Sequence, residues 1–417
     1  MSVLDLFFSN AGYNTRVVTT GVTLLGIAAG VVGTFTFLRR RSLLSDALSH
    51  ATLPGICLAF LAAVAVGAPA RSLPVLLFGA AVSGAIGLLC VQWISHRTRL
   101  NEDAAIAIVL SSFFGLGVVL LTYVQVVESG SQAGLDSFIM GQTAAMSAAE
   151  AWSIGLLALI AVVITWFFYK ELQLYSFDAD FAQGLGWSVA RLDLLVAGLT
   201  VFVTVIGLQA VGLILIVALL IVPPVAARFW TEKLPVMLLL SGAFGGLSAF
   251  SGARLSAVYP DLPTGAVIVI CAGVLFMASL LFAPQRGIVA SVVRRLTIAI
   301  ELQSSRFLAE LLLAENEQRS VRSPELPSWQ LRWIERRLAV RGWLVNGRLT
   351  PAGRAGAQAV NDNLRLWEAY LWVSQESFPD KYQWGIDDIN LALSEETIAL
   401  LQKTIDNSST AVVIHRD

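Results

Sequence analysis

Long apolar runs separated by short polar joints fill the first two thirds of the chain. Crossing about 30 Å of hydrocarbon takes roughly 20 residues of helix. Runs of that order fall near 17–38, 43–66, 72–94, 104–125, 149–169, 192–210, 211–227, 234–252 and 263–283. The stretch 192–227 is unbroken around Gln209-Ala-Val-Gly212, so the pattern gives about nine transmembrane helices, or eight if the division there is not real. After residue 286 the pattern changes. Ile288 to Glu317 has the period of an amphipathic helix and is followed by the loop Ser320-Val-Arg-Ser-Pro-Glu-Leu-Pro327. A basic helix from Leu331, the break at Gly342 and a strand pair turning at Asn346-Gly347 then read as a winged-helix unit. The expected fold class is an all-α polytopic membrane protein, residues 1–286, followed by a small winged-helix-like α+β domain, residues 287–417.

Composition sharpens that division. Of 417 residues, 56% are hydrophobic and 14% charged, yet residues 1–285 hold 12 Lys/Arg and 13 Asp/Glu while the shorter remainder holds 16 of each. Basic residues gather at 39–41, 97 and 99, 170 and 191, 228 and 233, and 286. With nine spans these clusters share one side, which the positive-inside rule makes cytoplasmic. The amino terminus is then outside and the tail cytoplasmic. The first run is long for a leader core and ends on Arg39-Arg40-Arg41, so it reads as a span and not as a cleaved signal. Cys57, Cys90 and Cys271 lie in apolar runs without CxxC spacing and read as small buried hydrophobes.

Inside the second run stand Asp46 and His50, four residues apart. A helix places that pair on one face, and a carboxylate with an imidazole suits a divalent transition metal such as manganese, iron or zinc. A charge at membrane depth costs about 2.5–3.5 kcal/mol on insertion scales, so it marks a pathway or a partner. An ion pair between Asp46 and the upstream arginines is the alternative. Pro54 removes the N–H that would bind the His50 carbonyl. Glu102 and Asp103, next to Arg97 and Arg99, read as helix-capping and surface-pairing residues, and His96 as a boundary residue.

Several stretches together resemble the membrane permeases of bacterial ABC importers for manganese, zinc and iron. They are Arg39-Arg-Arg-Ser-Leu-Leu-Ser-Asp46-Ala-Leu-Ser-His50-Ala-Thr-Leu-Pro54-Gly55, Arg99-Leu-Asn-Glu102-Asp103-Ala-Ala-Ile, Leu135-Asp-Ser-Phe-Ile-Met-Gly141, Phe177-Asp178-Ala-Asp180-Phe181-Ala182-Gln-Gly184-Leu-Gly186, Gln209-Ala-Val-Gly212 to Pro223, Asp261-Leu-Pro-Thr-Gly265 and Leu281-Phe-Ala-Pro284. The resemblance implies a permease that works with a second permease subunit, identical or not, two cytosolic ABC ATPase subunits and an extracytoplasmic metal-binding protein. It carries the metal path onto Asp46 and His50, with two subunits presenting four ligands to a transported ion and no permanently bound cofactor. It also assigns ATPase coupling to the loop with Phe177, Asp178, Asp180, Phe181, Ala182, Gly184 and Gly186, read as a short amphipathic helix from Phe177 to Leu185.

The tail stretches Leu349-Thr-Pro-Ala-Gly353-Arg-Ala-Gly-Ala357 and Leu364-Arg-Leu-Trp-Glu-Ala-Tyr-Leu371 resemble the diphtheria-toxin-repressor family of iron- and manganese-dependent regulators, with Leu364 where that family has a histidine. Balanced charge gives the tail no strong footprint for DNA, so nucleic acid is not an expected partner and membrane lipid is. No G-x-x-x-x-G-K-[ST] loop occurs, so the chain is expected to be no enzyme and ATP hydrolysis to fall to a separate chain. A membrane-anchored metal-responsive regulator and an ATP-independent secondary transporter are the rival readings. The metal reads first as manganese, because the tail resembles a manganese or iron regulator. Zinc follows, since the same donors bind it more tightly.

Overall fold

The computed structural model describes residues 13–67, 73–126, 146–259, 262–316, 328–345 and 347–373, with 389, 393, 397–403 and 405. The segment 135–141, Asn346 and His415 lie outside the described residues. Two compact units emerge, residues 1–290 and 291–417.

The first unit is built from helices. They are α1 (Tyr13–Leu38), α2 (Ser42–Val66), α3 (Leu73–Arg97), α4 (Glu102–Val126), α5 (Ala148–Phe167), the short α6 (Tyr169–Phe177) and α7 (Ala179–Gly184), α8 (Val189–Val211), α9 (Leu213–Trp230), α10 (Leu234–Val258) and α11 (Thr264–Phe282). Local chemistry sets their ends. Ser147 and Glu150 form a reciprocal capping box at the start of α5. Gly67 closes α2 in the left-handed conformation, its N–H reaching the Val64 carbonyl at 3.1 Å. Gly212, at φ 82°, divides the long apolar stretch into α8 and α9.

Eight of these helices are long and apolar enough to cross a membrane, whereas the apolar stretch of α9, Leu215–Trp230, is shorter. Two sub-bundles share α8. One core joins α1, α5, α8, α9, α10 and α11 through residues such as Leu25, Ile154, Val203, Leu219 and Ile268. The other joins α2, α3, α4 and α8 through Leu48, Phe60, Leu88, Ile106 and Leu208. Glycines set the closest contacts, because only a missing side chain lets two backbones approach so nearly. A Cβ on Gly30 would stand 2.3 Å from the Ser241 carbonyl of α10, and one on Gly55 would stand 2.1 Å from the Gly79 carbonyl of α3. Outward faces are apolar, with aromatic residues near both ends of α5, Trp152 and Trp166, where an interfacial belt belongs.

The second unit holds most of α12 (Ile288–Asn316), then α13 (Ser328–Val340), the strands β1 (Leu344–Val345) and β2 (Arg348–Leu349), and α14 (Pro351–Val373). The strands pair antiparallel, Leu344 with Leu349 and Val345 with Arg348. Phe307, Leu308 and Leu312 of α12 pack with Ile334 and Leu338 of α13, both strands and Ala357 of α14. Glu301 pairs with Arg337 at 3.3 Å and with Arg341 at 3.6 Å.

Candidate metal centre

The inward face of the first half of α2 is made by Leu44, Ala47, Leu48 and Ala51. Of its buried hydroxyls, those of Ser49 and Thr52 serve the backbone, while the Ser45 Oγ has no protein partner among the described residues. Ser49 donates to the Ser45 carbonyl at 2.7 Å, Thr52 to the Ser49 carbonyl at 2.6 Å, and Ser83 of α3 to the Ala51 carbonyl at 2.6 Å. The helix runs on through Pro54. That register leaves Asp46 and His50 together on the other face.

There the His50 Nε2 and Asp46 Oδ1 atoms are 3.5 Å apart, with side chains 23% and 37% exposed. Two ligands each about 2.1 Å from one ion at tetrahedral angles stand roughly 3.4 Å apart, so the pair has the spacing of ligands that share a metal. The His50 ring meets Phe114 of α4 edge to face at 4.8 Å, which fixes its plane. Its Nδ1 atom is buried and has no protein partner among the described residues. No group of three or more His, Cys, Asp or Glu side chains occurs among the described residues. One chain thus sets two candidate donors on a half-open face. Cys57, two turns beyond His50 along α2, sits against the Gly117 carbonyl at 3.9 Å. All three cysteines are free, with Cys57 buried and the other two half-buried.

Arg39 and Arg41 are engaged away from Asp46. Arg41 bonds through Nη1 to Asp193 of α8 and through Nε to Glu102 at the start of α4. The Tyr175 hydroxyl of α6 donates to the same Asp193 oxygen. Arg39 lies over the Tyr175 ring at 4.2 Å and donates to the Tyr175 carbonyl at 3.3 Å. Burial alone would lower the Arg41 pKa, but the charges of Asp193 and Glu102 outweigh it and hold it above the usual arginine value. Burial first, then the hydrogen bond to Asp193, pushes the Tyr175 phenol up. Glu102 therefore pairs across the fold with Arg41 and not with its sequence neighbours. Sequence reasoning passed over Asp193 and Tyr175. An aspartate within the apolar run 192–210 was the signal that could have found them.

The loop with Phe177, Asp178, Asp180, Phe181, Ala182, Gly184 and Gly186 forms a tip distinct from the Asp46–His50 pair. The expected helix from Phe177 to Leu185 is two pieces: Phe177 ends α6, and Asp178 caps α7 by accepting the Phe181 N–H at 2.8 Å. Asp180 lies exposed in the first turn, and Gly184 ends the helix. Ala182 is fully buried, while Phe177, Phe181, Leu185 and Trp187 are exposed and Gly186 turns the chain at φ 89°. Tyr175, two residues before this tip, joins it through Asp193 and Arg41 to the start of the helix that carries Asp46 and His50.

The chain matches the ABC 3 transport family over residues 13–283, a stretch that takes in the pair, the tip and the network between them. The manganese transport system membrane protein MntC of Bacillus subtilis is 43% identical over 305 residues, 73% of this chain and 68% of that protein. The zinc transport system membrane protein TroC of Treponema pallidum is 40% identical over 300 residues, 72% of this chain and 98% of that protein. Among solved structures, PsaBC from Streptococcus pneumoniae in complex with Fab has a TM-score of 0.57 at 30% identity, covering 66% of this chain and 94% of that chain. With a match across α1 to α11 and relatives this similar, the chain belongs to the ABC 3 transport family.

Proposed function

We propose that the chain is the membrane permease subunit of an ATP-driven importer of divalent transition metal ions, with manganese as its first substrate and zinc or iron as alternatives. The observation that carries this reading is the carboxylate–imidazole pair, 3.5 Å apart on a half-open face of a spanning helix. Relatives named for manganese and for zinc transport support the same substrate class. Two such subunits, related by a two-fold axis, bring two carboxylates and two imidazoles to one path. A transported ion must also leave, so this is a site of moderate grip, with water completing the shell. Hydrolysis of ATP belongs to separate chains, whose groove receives the exposed Phe177, Phe181, Leu185 and Trp187 side chains of the α7 tip. An extracytoplasmic metal-binding protein delivers the ion.

The network of Arg41, Asp193 and Tyr175 passes movement of the tip to α2, because these three groups bond α6, α8 and the turn before α2 into one unit. The second unit is read as a cytosolic winged-helix-like module that contacts the ATPase or its counterpart and regulates transport. The helix, two-strand hairpin and helix of α13 to α14 support that reading.

Metal-resolved uptake in cells carrying the whole transporter tests the site. Asp46→Asn and His50→Ala each lower manganese uptake by at least about tenfold at native expression. Normal accumulation of manganese, zinc and iron by both variants refutes the assignment.

A further inference from the structure

The helix α12 has two unlike halves. From Ser304 onward its apolar side chains enter the core of the second unit through Phe307, Leu308 and Leu312. The first half does not. Every residue from Ile288 to Thr297 is exposed except Ala290, which is half-buried, and Ile288, Val289, Val292, Val293 and Leu296 are 45–57% exposed. At 3.6 residues per turn these five positions fall within an arc of about 140°. Arg295 borders the stripe, while Arg294 and Thr297 lie away from it. Between Pro284 and Ile300 the chain carries Arg286, Arg294 and Arg295 and no Asp or Glu.

The start of this half is fixed at the end of the spans. Five residues separate Phe282, the last of α11, from Ile288. The Arg286 N–H reaches the Phe229 carbonyl near the end of α9 at 3.3 Å, and its guanidinium pairs with Glu232 at 2.6 Å. The Gly287 N–H closes on the Ala283 carbonyl at 2.9 Å. The turn thus releases α12 at the level where α9 and α11 finish. A basic helix with one aliphatic stripe, delivered at that level, has the chemistry of an element that lies in the plane of an anionic leaflet.

We propose that Ile288–Ala299 is an interfacial helix, its Ile288, Val289, Val292, Val293 and Leu296 side chains among the acyl chains and Arg295, at the edge of the stripe, at anionic headgroups. This rests on the spans lying in a bilayer and not on the identity of the transported ion, so a failed uptake experiment leaves it standing and the reverse also holds.

The test uses the full chain in nanodiscs of phosphatidylethanolamine with and without phosphatidylglycerol. Cys57, Cys90 and Cys271 are replaced by alanine, and nitroxide labels are placed singly at Val292→Cys, Leu296→Cys, Ser291→Cys and Arg294→Cys. Labels at 292 and 296 are relaxed severalfold more by oxygen than by a water-soluble nickel chelate, and labels at 291 and 294 show the reverse order. Nickel access at 292 and 296 equal to that at 294 means a solvated helix and overturns the proposal. Shielding of 292 and 296 from both reagents means that a second copy or another protein covers the stripe, and overturns it equally. Should the cysteine-free chain misfold, hydrogen exchange of the native chain decides: slower exchange across 288–299 with phosphatidylglycerol is expected, and exchange indifferent to lipid charge refutes the proposal.

Discussion

Asp193 is 6% exposed within α8 and receives Arg41 and the Tyr175 hydroxyl on one oxygen. Breaking a buried ion pair by neutralising one partner costs about 3–5 kcal/mol, and Arg41 keeps Glu102, so Asp193→Asn falls toward the low end of that range. Thermal unfolding in detergent checks it, as a lowered Tm with intact membrane insertion. Tyr175 adds a pH signature. Its folded-state pKa lies above the free value of 10.0, so its contribution is complete below that pH and is lost as pH climbs beyond it. Alkaline unfolding above pH 10 should accordingly be shallower in Tyr175→Phe, which starts less stable and has no phenol at this position to ionise. Asp46 and His50 were legible in the sequence because a helix alone brings residues four apart together. Arg41 and Asp193, 152 residues apart, were not. Charge pairing by sequence proximity gave Glu102 to Arg97 and Arg99, and tertiary packing gave it to Arg41.

Among the elements, the contact between α1 and α10 depends on the absence of side chains. A methyl at Gly30 would press on the Ser241 carbonyl, whose neighbouring hydroxyl already donates to the Gly30 carbonyl at 2.6 Å. Gly30→Ala is expected to cost about 1–3 kcal/mol through forced separation of the two helices. Gly115→Ala on α4, where a Cβ meets nothing within 4 Å, should leave stability unchanged or slightly raised. Comparing the two melting temperatures isolates close approach from helix propensity. At the tip, Asp178→Ala removes the α7 cap at about 1 kcal/mol. Hydrogen exchange across 179–184 should quicken while the bundle stays protected. The apolar runs made the helices readable, but left the division of α8 from α9 at Gly212 open, because the stretch around it is apolar without a break. The start of α7 was misplaced because Asp178 ends one helix and caps the next, and periodicity does not register such a corner.

At the scale of the molecule, each hydrophobic cluster among the described residues draws on one unit only. A chain ending at residue 290 is therefore expected to insert, to run as a single species in detergent and to unfold at a temperature close to that of the first unit in the whole protein. The composition shift near residue 286 is legible because a membrane tolerates few charges and a water-facing surface needs many. The packing order of the nine apolar helices was not, since their outward and inward faces are alike in hydrophobicity. That order leaves no residue of α9 exposed from Leu215 to Phe229. Its 18 residues rise about 27 Å, short of a bilayer of about 30 Å. Protein covers most of its surface, so it has little hydrophobic thickness of its own to match. A thicker or thinner bilayer acts first on the outer helices, which must tilt to suit it, while α9 with its buried Pro223 and Pro224 rides among them as a spindle that the lipid barely touches.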